Sequence, residues 1–302
     1  MSSIQNQFLD LTSHHARYDA IDPRSALKNS AADKVVFIAG ASKGIGQATA
    51  VAFAEAGARA IYLTARSEEA LQETQRLVEQ TNPQTQCAYA LCDVTQAQQV
   101  EAAVEDCVSR FGALDIADAN AGYLGPWVKI GESDPEGWWH NWEVNLRGAY
   151  HVIRFALPAL VKSAATFGAQ GRSGGHLILV SSVGAQFVTP GASDYQTSKH
   201  AINRLFEFVQ SDHDADGIKC FAMHPGGVAT DIGHSMPAHM HEYLVDEPDL
   251  AASFAVWLCS GAADWAKGRY LSANWDVTEL ATREAEILRD DLLVNRMLAK
   301  AS

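Results

Sequence analysis

Apolar residues along this chain gather into short β-branched runs, and between the runs they recur at the spacing of one helix face. The runs at 34–40, 60–64, 86–91, 114–119, 176–180, 218–223 and 269–272 read as strands. The segments at 47–56, 68–80, 96–110, 138–161, 195–209 and 248–260 read as helices. Strand and helix alternate almost throughout, which predicts parallel strands joined by right-handed crossovers. The expected fold is therefore α/β, a doubly wound parallel sheet of seven strands with helices on both faces. Residues 33–275 form that domain in this reading. Residues 1–32 are polar and lack a period, so they read as an arm lying on the surface or partly disordered, with no chemistry expected there. Residues 276–302 read as a helical extension, with one amphipathic helix over 278–300.

Two helices carry more apolar surface than one sheet can cover. Over 138–161 the apolar positions run nearly all round, from Trp142, Val144 and Leu146 to Phe155, Leu157 and Leu160. Ala201, Ile202, Leu205, Phe206 and Val209 repeat the pattern on the second helix, so a homodimer or homotetramer built on both is expected. The stretch at 163–175 is rich in Ser, Gly and Gln and reads as a surface connection.

Composition narrows the function classes. With 302 residues, 47% hydrophobic and 20% charged, the chain is that of an ordinary soluble protein. A net charge of −13 argues against partners such as nucleic acid or an anionic membrane surface. No apolar run approaches the roughly 18–20 residues of a membrane span, and the first residues lack a secretory core, so a cytoplasmic location is expected. Five scattered cysteines read as reduced core thiols rather than disulfides or metal ligands. His234, His239 and His241 lie in 231–247 with Met236, Met240 and Tyr243; that segment suits a lid over a substrate, and its spacing lacks the second ligand cluster a metal site needs.

The first strand ends in Gly40 and is followed by Ser42, Lys43, Gly44, Ile45 and Gly46 before an alanine-rich helix. A strand, a glycine turn and a helix N-terminus together suit a dinucleotide pyrophosphate: the glycines admit close backbone approach, and the helix end offers N–H donors and a favourable dipole. After the second strand stands Arg66 where an acidic residue would select a free ribose 2'-hydroxyl, so with Lys43 nearby the expected cofactor is NADP(H). Asp93 and Val94 follow the third strand, placed for the adenine end, and Asn120, Ala121 and Gly122 follow the fourth. Val228 and Thr230, after the sixth strand, could hold the carboxamide and phosphates. Tyr195 and Lys199 are four apart, which puts phenol and ammonium on one helix face. A neighbouring cation should lower the phenol from its ordinary ~10 toward useful proton exchange. Ser182 adds a second hydroxyl. Asp118 is costly in the middle of a buried strand, and no partner for it is evident.

These motifs together resemble the short-chain dehydrogenase/reductase family, in its single-domain, Rossmann-like form, over about 33–275. The resemblance rests on GASKGIG at 40–46, Asp93, NAG at 120–122, Asn145 in WEVNLRG, the Ser182, Tyr195 and Lys199 set, and HPGGVAT at 224–230. It implies that Tyr195 is general acid and base, that Lys199 binds the nicotinamide ribose and acidifies the phenol, that Ser182 positions the substrate oxygen, and that Asn145 holds a water in a proton relay. It implies reversible NADP(H)-dependent reduction of a ketone or aldehyde, or, on the same fold and cofactor, epimerisation or cyclisation of a natural product. The arm and the ending SANWDVTEL resemble fungal members, many of which act on secondary metabolites. Ala39 stands where the family usually has Thr, which should loosen a bond to the NAG turn, and Asp118 replaces an aliphatic residue.

Overall fold

A computed structural model describes residues 9–297. Each apolar run forms a strand: β1 Val35–Ala39, β2 Ala60–Ala65, β3 Gln86–Leu91, β4 Ile116–Ala119, β5 His176–Val180, β6 Lys219–His224 and β7 Tyr270–Ser272. Between and after them lie α1 Gly44–Glu55, α2 Glu68–Thr81, α3 Ala97–Phe111, α4 Pro135–Trp142, α5 Ala149–Gly168, α6 Ser193–His213, α7 Asp231–His234, α8 Pro248–Leu258, α9 Val277–Thr282 and α10 Glu284–Arg289. All strand pairs are parallel, in the order β3-β2-β1-β4-β5-β6-β7. The fold is thus the expected seven-stranded, Rossmann-like sheet. The chain reverses its direction of travel between β1 and β4, and the carboxyl ends of strands at such a reversal form the crevice in which ligands of open α/β sheets bind.

Two apolar layers hold the sheet. Ile38, Ile178 and Phe221 meet Phe53 of α1 and Leu250 and Phe254 of α8 on one side. Phe37, Leu177 and Cys220 meet Val104 of α3, Val152 of α5 and Phe206 of α6 on the other. Strands buried on both faces read as continuous apolar runs, which is why they were visible as such.

Four expectations change. The arm is not loose: Ile21 is fully buried, Leu27 and Ala31 nearly so, and Arg17 joins Glu55 of α1 at 2.8 Å and Asp249 of α8 at 3.0 Å. Its first eight residues lie outside the described ones. The helix expected over 138–161 is broken into α4 and α5 by a π-helical turn, Glu143–Gly148. Asn145 lies in that turn, and its amide bonds main-chain atoms of Tyr123, holding the helix out of register. The surface connection begins late, since Ser163, Ala164 and Phe167 are buried on α5. The terminal helix expected over 278–300 is instead α9 and α10, after which Asp291 and Leu293 take positive φ. The Leu293 carbonyl accepts from the Tyr270 amide at 2.9 Å and Arg269 bonds Asp291 and the Leu292 carbonyl, which draws the chain back onto β7. Residues 298–300 of the expected helix lie outside the described ones. Among the described residues no helix is long and apolar enough to cross a membrane.

Candidate active site

The carboxyl ends of β1 and β4 are pressed together by their glycines. A Cβ on Gly40 would stand 2.7 Å from the Ala121 Cα, and one on Gly46 would stand 2.3 Å from the Gly40 carbonyl oxygen. Gly40 and Gly44 also take φ of +84° and +58°, which other residues rarely adopt. The Asn120 amide donates to the Gly40 carbonyl at 2.9 Å, so the turn stays tied to β1 even with Ala39 in place of a hydroxyl residue. No side chain caps α1, whose first-turn N–H groups remain available. A concave, glycine-lined cradle at an uncapped helix N-terminus fits a pyrophosphate. Ser42 and Ile45 line the same cleft.

Arg66 lies exposed at the end of β2 and lines the cleft, and it makes no ion pair among the described residues. Lys43, expected beside it, is instead paired with Asp231 of α7. The expectation of two free cations is corrected to one, because Asp231 reaches across the cleft mouth. Partial burial pushes the Asp93 carboxyl up, but hydrogen bonds from the Thr95 amide and hydroxyl, with Arg66 nearby, hold it below its ordinary value. Val94 is packed flush against Gly148. The Thr230 hydroxyl accepts from the Gly233 amide at 3.2 Å and so caps α7, while its methyl rests against Gly44; Val228 is buried beside it.

On the cleft floor, Ser182 follows β5 and Tyr195 and Lys199 rise from the first turns of α6. The Ser182 hydroxyl accepts from the Gly184 amide at 3.0 Å and is hydrogen-bonded to the Tyr195 phenol. The Lys199 ammonium donates to the Val180 carbonyl at 2.7 Å and lies 5.7 Å from the centre of the Tyr195 ring. Ser181 is spent elsewhere, donating to the Asn203 side chain at 2.6 Å. Burial raises the Tyr195 phenol, which the Ser182 bond partly offsets, and burial lowers Lys199 to about 8. The expected lowering of the phenol by the ammonium is therefore not what this protein shows: loss of solvent sets the direction of the shift.

Asn145 is saturated. Its amide nitrogen, with two N–H donors, lies within 3.0 Å of the Tyr123 carbonyl, the Asn141 side-chain oxygen and the Ser198 hydroxyl, and its oxygen accepts from the Tyr123 amide. A Cβ on Gly122 would sit 3.5 Å from that oxygen and 3.7 Å from the Lys199 ammonium, so the β4 turn lies in contact distance of both. Behind them, Asn141 donates to Asp194 at 2.6 Å in a buried network that sequence reading missed. Its one signal was the spacing, since Asn141 is one helical turn before Asn145. A single cleft of about 1720 Å³ joins Arg66 and Asp93 to Gly122 and Tyr195, then continues to Met240, Trp275 and the arm residues Leu9 and Leu11.

The profile of the short chain dehydrogenase family matches residues 34–241. A short chain dehydrogenase of Monascus purpureus, mpl6, is 42% identical over 93% of both chains. An A-factor type gamma-butyrolactone 1'-reductase (1S-forming) of Streptomyces virginiae is 31% identical over 82% of this chain and 96% of its own. The crystal structure of levodione reductase superposes with a TM-score of 0.73 at 25% identity, over 80% of this chain and 96% of the other. A fold with this crevice and this floor belongs to the oxidoreductases, and the chain is a member of the short chain dehydrogenase family.

The cradle gives a direct prediction. Replacing Gly46→Ala forces a methyl against main chain that cannot retreat, so dinucleotide affinity should fall by about tenfold or more, as measured by titrating NADPH fluorescence. Unchanged affinity would mean that the pyrophosphate binds elsewhere.

Proposed function

We propose that this protein is an NADP(H)-dependent reductase of a ketone or aldehyde, acting reversibly. The observation that carries the reading is the hydrogen-bonded Ser182 and Tyr195 pair on the cleft floor, with the Lys199 ammonium beside the ring. Gly40, Gly44 and Gly46 would hold the pyrophosphate, Asp93 and Val94 the adenine end, Asn120 the turn beneath the ribose, and Val228 and Thr230 the carboxamide side. A bound nicotinamide dinucleotide supplies the hydride, or receives it in reverse. Ser182 and Tyr195 donate hydrogen bonds to the substrate oxygen, and the Tyr195 proton moves to that oxygen as charge develops. Lys199, fixed by the Val180 carbonyl, stabilises the phenolate left behind. Asn145 holds the Tyr123 peptide beside that ammonium, where the resemblance assigns it the proton relay.

The choice of NADP(H) rests on Arg66, exposed just after β2 at the position where a carboxylate would select NAD. The Streptomyces relative is named as a reductase, and the same direction is proposed here. Trp139, Tyr150 and Phe208 leave large rings exposed on α4, α5 and α6, which favours a homodimer or homotetramer through those helices. Five free thiols suit a reducing, cytoplasmic setting.

The activity is tested by following NADPH absorbance with a panel of cyclic, aromatic and aliphatic ketones; absence of turnover with NADPH and NADH alike would remove the reading. For the cofactor, Arg66→Asp should weaken NADP binding by on the order of 10- to 100-fold through loss of a charge-assisted phosphate contact, and should spare NAD. If the ratio of the two affinities does not move, Arg66 does not read the 2'-phosphate.

A further inference from the structure

We infer that the amino-terminal arm is the outer wall of the substrate cleft, and that the substrate is a carbonyl compound carrying an extended apolar group that reaches it. The inference rests on the reading of Tyr195 as the point where the carbonyl is held. The family profile covers residues 34–241, which leaves out the arm and Asp246, Glu247, Asn274 and Trp275, which secure it.

The arm is fastened on two sides. The His15 imidazole donates from Nδ1 to the Asp246 carboxylate at 2.6 Å, and Asp246, itself nearly buried, also accepts from the Gly227 amide. The Glu247 amide donates to the His15 carbonyl at 2.8 Å. His15 thus grips the point where the 231–247 segment rejoins α8, and through Asp246 it reaches the turn after β6. On the other side His14 and Asn274 exchange hydrogen bonds of 2.8 and 3.0 Å, and Ser13 pairs antiparallel with Trp275.

Held this way, Leu9 and Leu11 line the same cleft as Met236, Met240, Leu244 and Trp275. Those six side chains offer apolar contact and no charge. At about 1720 Å³ the cleft exceeds the ~300–1,000 Å³ usual for one small ligand, so a dinucleotide leaves room for a second sizeable molecule. An apolar group that leaves water at this wall gains affinity in proportion to the area covered. His15 is a positioning residue here: it holds the wall and does not touch the reacting atoms.

The test uses isothermal titration of the full chain, saturated with whichever of NAD or NADP it binds, against two probes: cyclohexanone and 2-acetylnaphthalene. The wild-type protein should bind the larger, apolar ketone about tenfold more tightly or better, from the extra ring surface buried. The double substitution Leu9→Ser and Leu11→Ser should cut that preference by about fivefold. His15→Ala should lower it too, while His15→Asn, which keeps a donor for Asp246, should restore it, with thermal melts confirming that each variant is folded. Equal affinity for both probes in the wild type, or an undiminished preference in the folded double variant, overturns the proposal. A failure of His15→Asn to restore the preference overturns the positioning role. Binding is read without turnover, so a wall that fails is distinguished from a protein that consumes no NADPH.

Discussion

Tyr195→Phe should abolish most turnover, lowering kcat by about 10²- to 10⁴-fold while the protein remains folded. The phenyl ring keeps the packing of the phenol against the Lys199 side chain, so the loss isolates the proton. Two other polar groups near the floor are engaged with main-chain partners. Lys199 already donates to the Val180 carbonyl, and the His224 Nδ1 accepts from the Val183 amide while burial lowers that imidazole to about 4, leaving it neutral. Ser182 retains its hydroxyl and would still polarise the carbonyl, which accounts for a residual rate above that without enzyme. Steady-state rates with NADPH and the best ketone of the panel, beside a thermal melt, check the outcome. Turnover within about threefold of wild type would remove Tyr195 from the chemistry.

The second large effect concerns stability and sits in the sheet beneath the cleft. Asp118 in β4 is fully buried, paired across the sheet with Ile38 and Ile178, and among the described residues neither carboxylate oxygen has a hydrogen-bond partner. Burial raises its carboxyl to about 8, so the folded protein keeps it protonated at neutral pH. The unfolded chain ionises near ~4, and between these values it binds fewer protons than the native state. Stability from this group is therefore fully present below about pH 4 and declines as pH rises toward 8, by about tenfold in the folding equilibrium per pH unit. Asp118→Val should raise the melting temperature by roughly 5–10 °C near neutrality, from a gain of a few kcal/mol. The gain should shrink as the solution is acidified. Asp118→Asn should flatten the pH dependence while keeping an unpaired amide, and so recover only part. A melting difference that does not vary between pH 5 and pH 8 would show that the carboxyl does not titrate there.

The strands were legible because a parallel strand covered on both faces leaves an unbroken apolar run, and β3 and β5 were read to the residue. Tyr195 and Lys199 were legible because their relation is local, one turn of α6. What stayed hidden depends on contacts distant in sequence. Ile21, Leu27 and Ala31 follow no period, and the α8 residues of their apolar cluster come more than 200 residues later, so the arm read as lying on the surface or partly disordered. The break at Glu143–Gly148 comes from Asn145 bonding the Tyr123 main chain, a contact no helical period records. Spacing showed a cation beside the phenol but not how deeply both are buried, and burial sets the direction of both shifts. Lys43 looked available until Asp231 closed on it.

Thr12 donates twice to Glu279, and His14 reaches Asp276, so residues 12–14 are knotted to the last fifth of the polypeptide. On the ribosome residues 40–46 emerge long before Asp276 and Glu279, so the rim of the mouth is the last part of the cleft that can close. A nick near either terminus would unfasten the same rim.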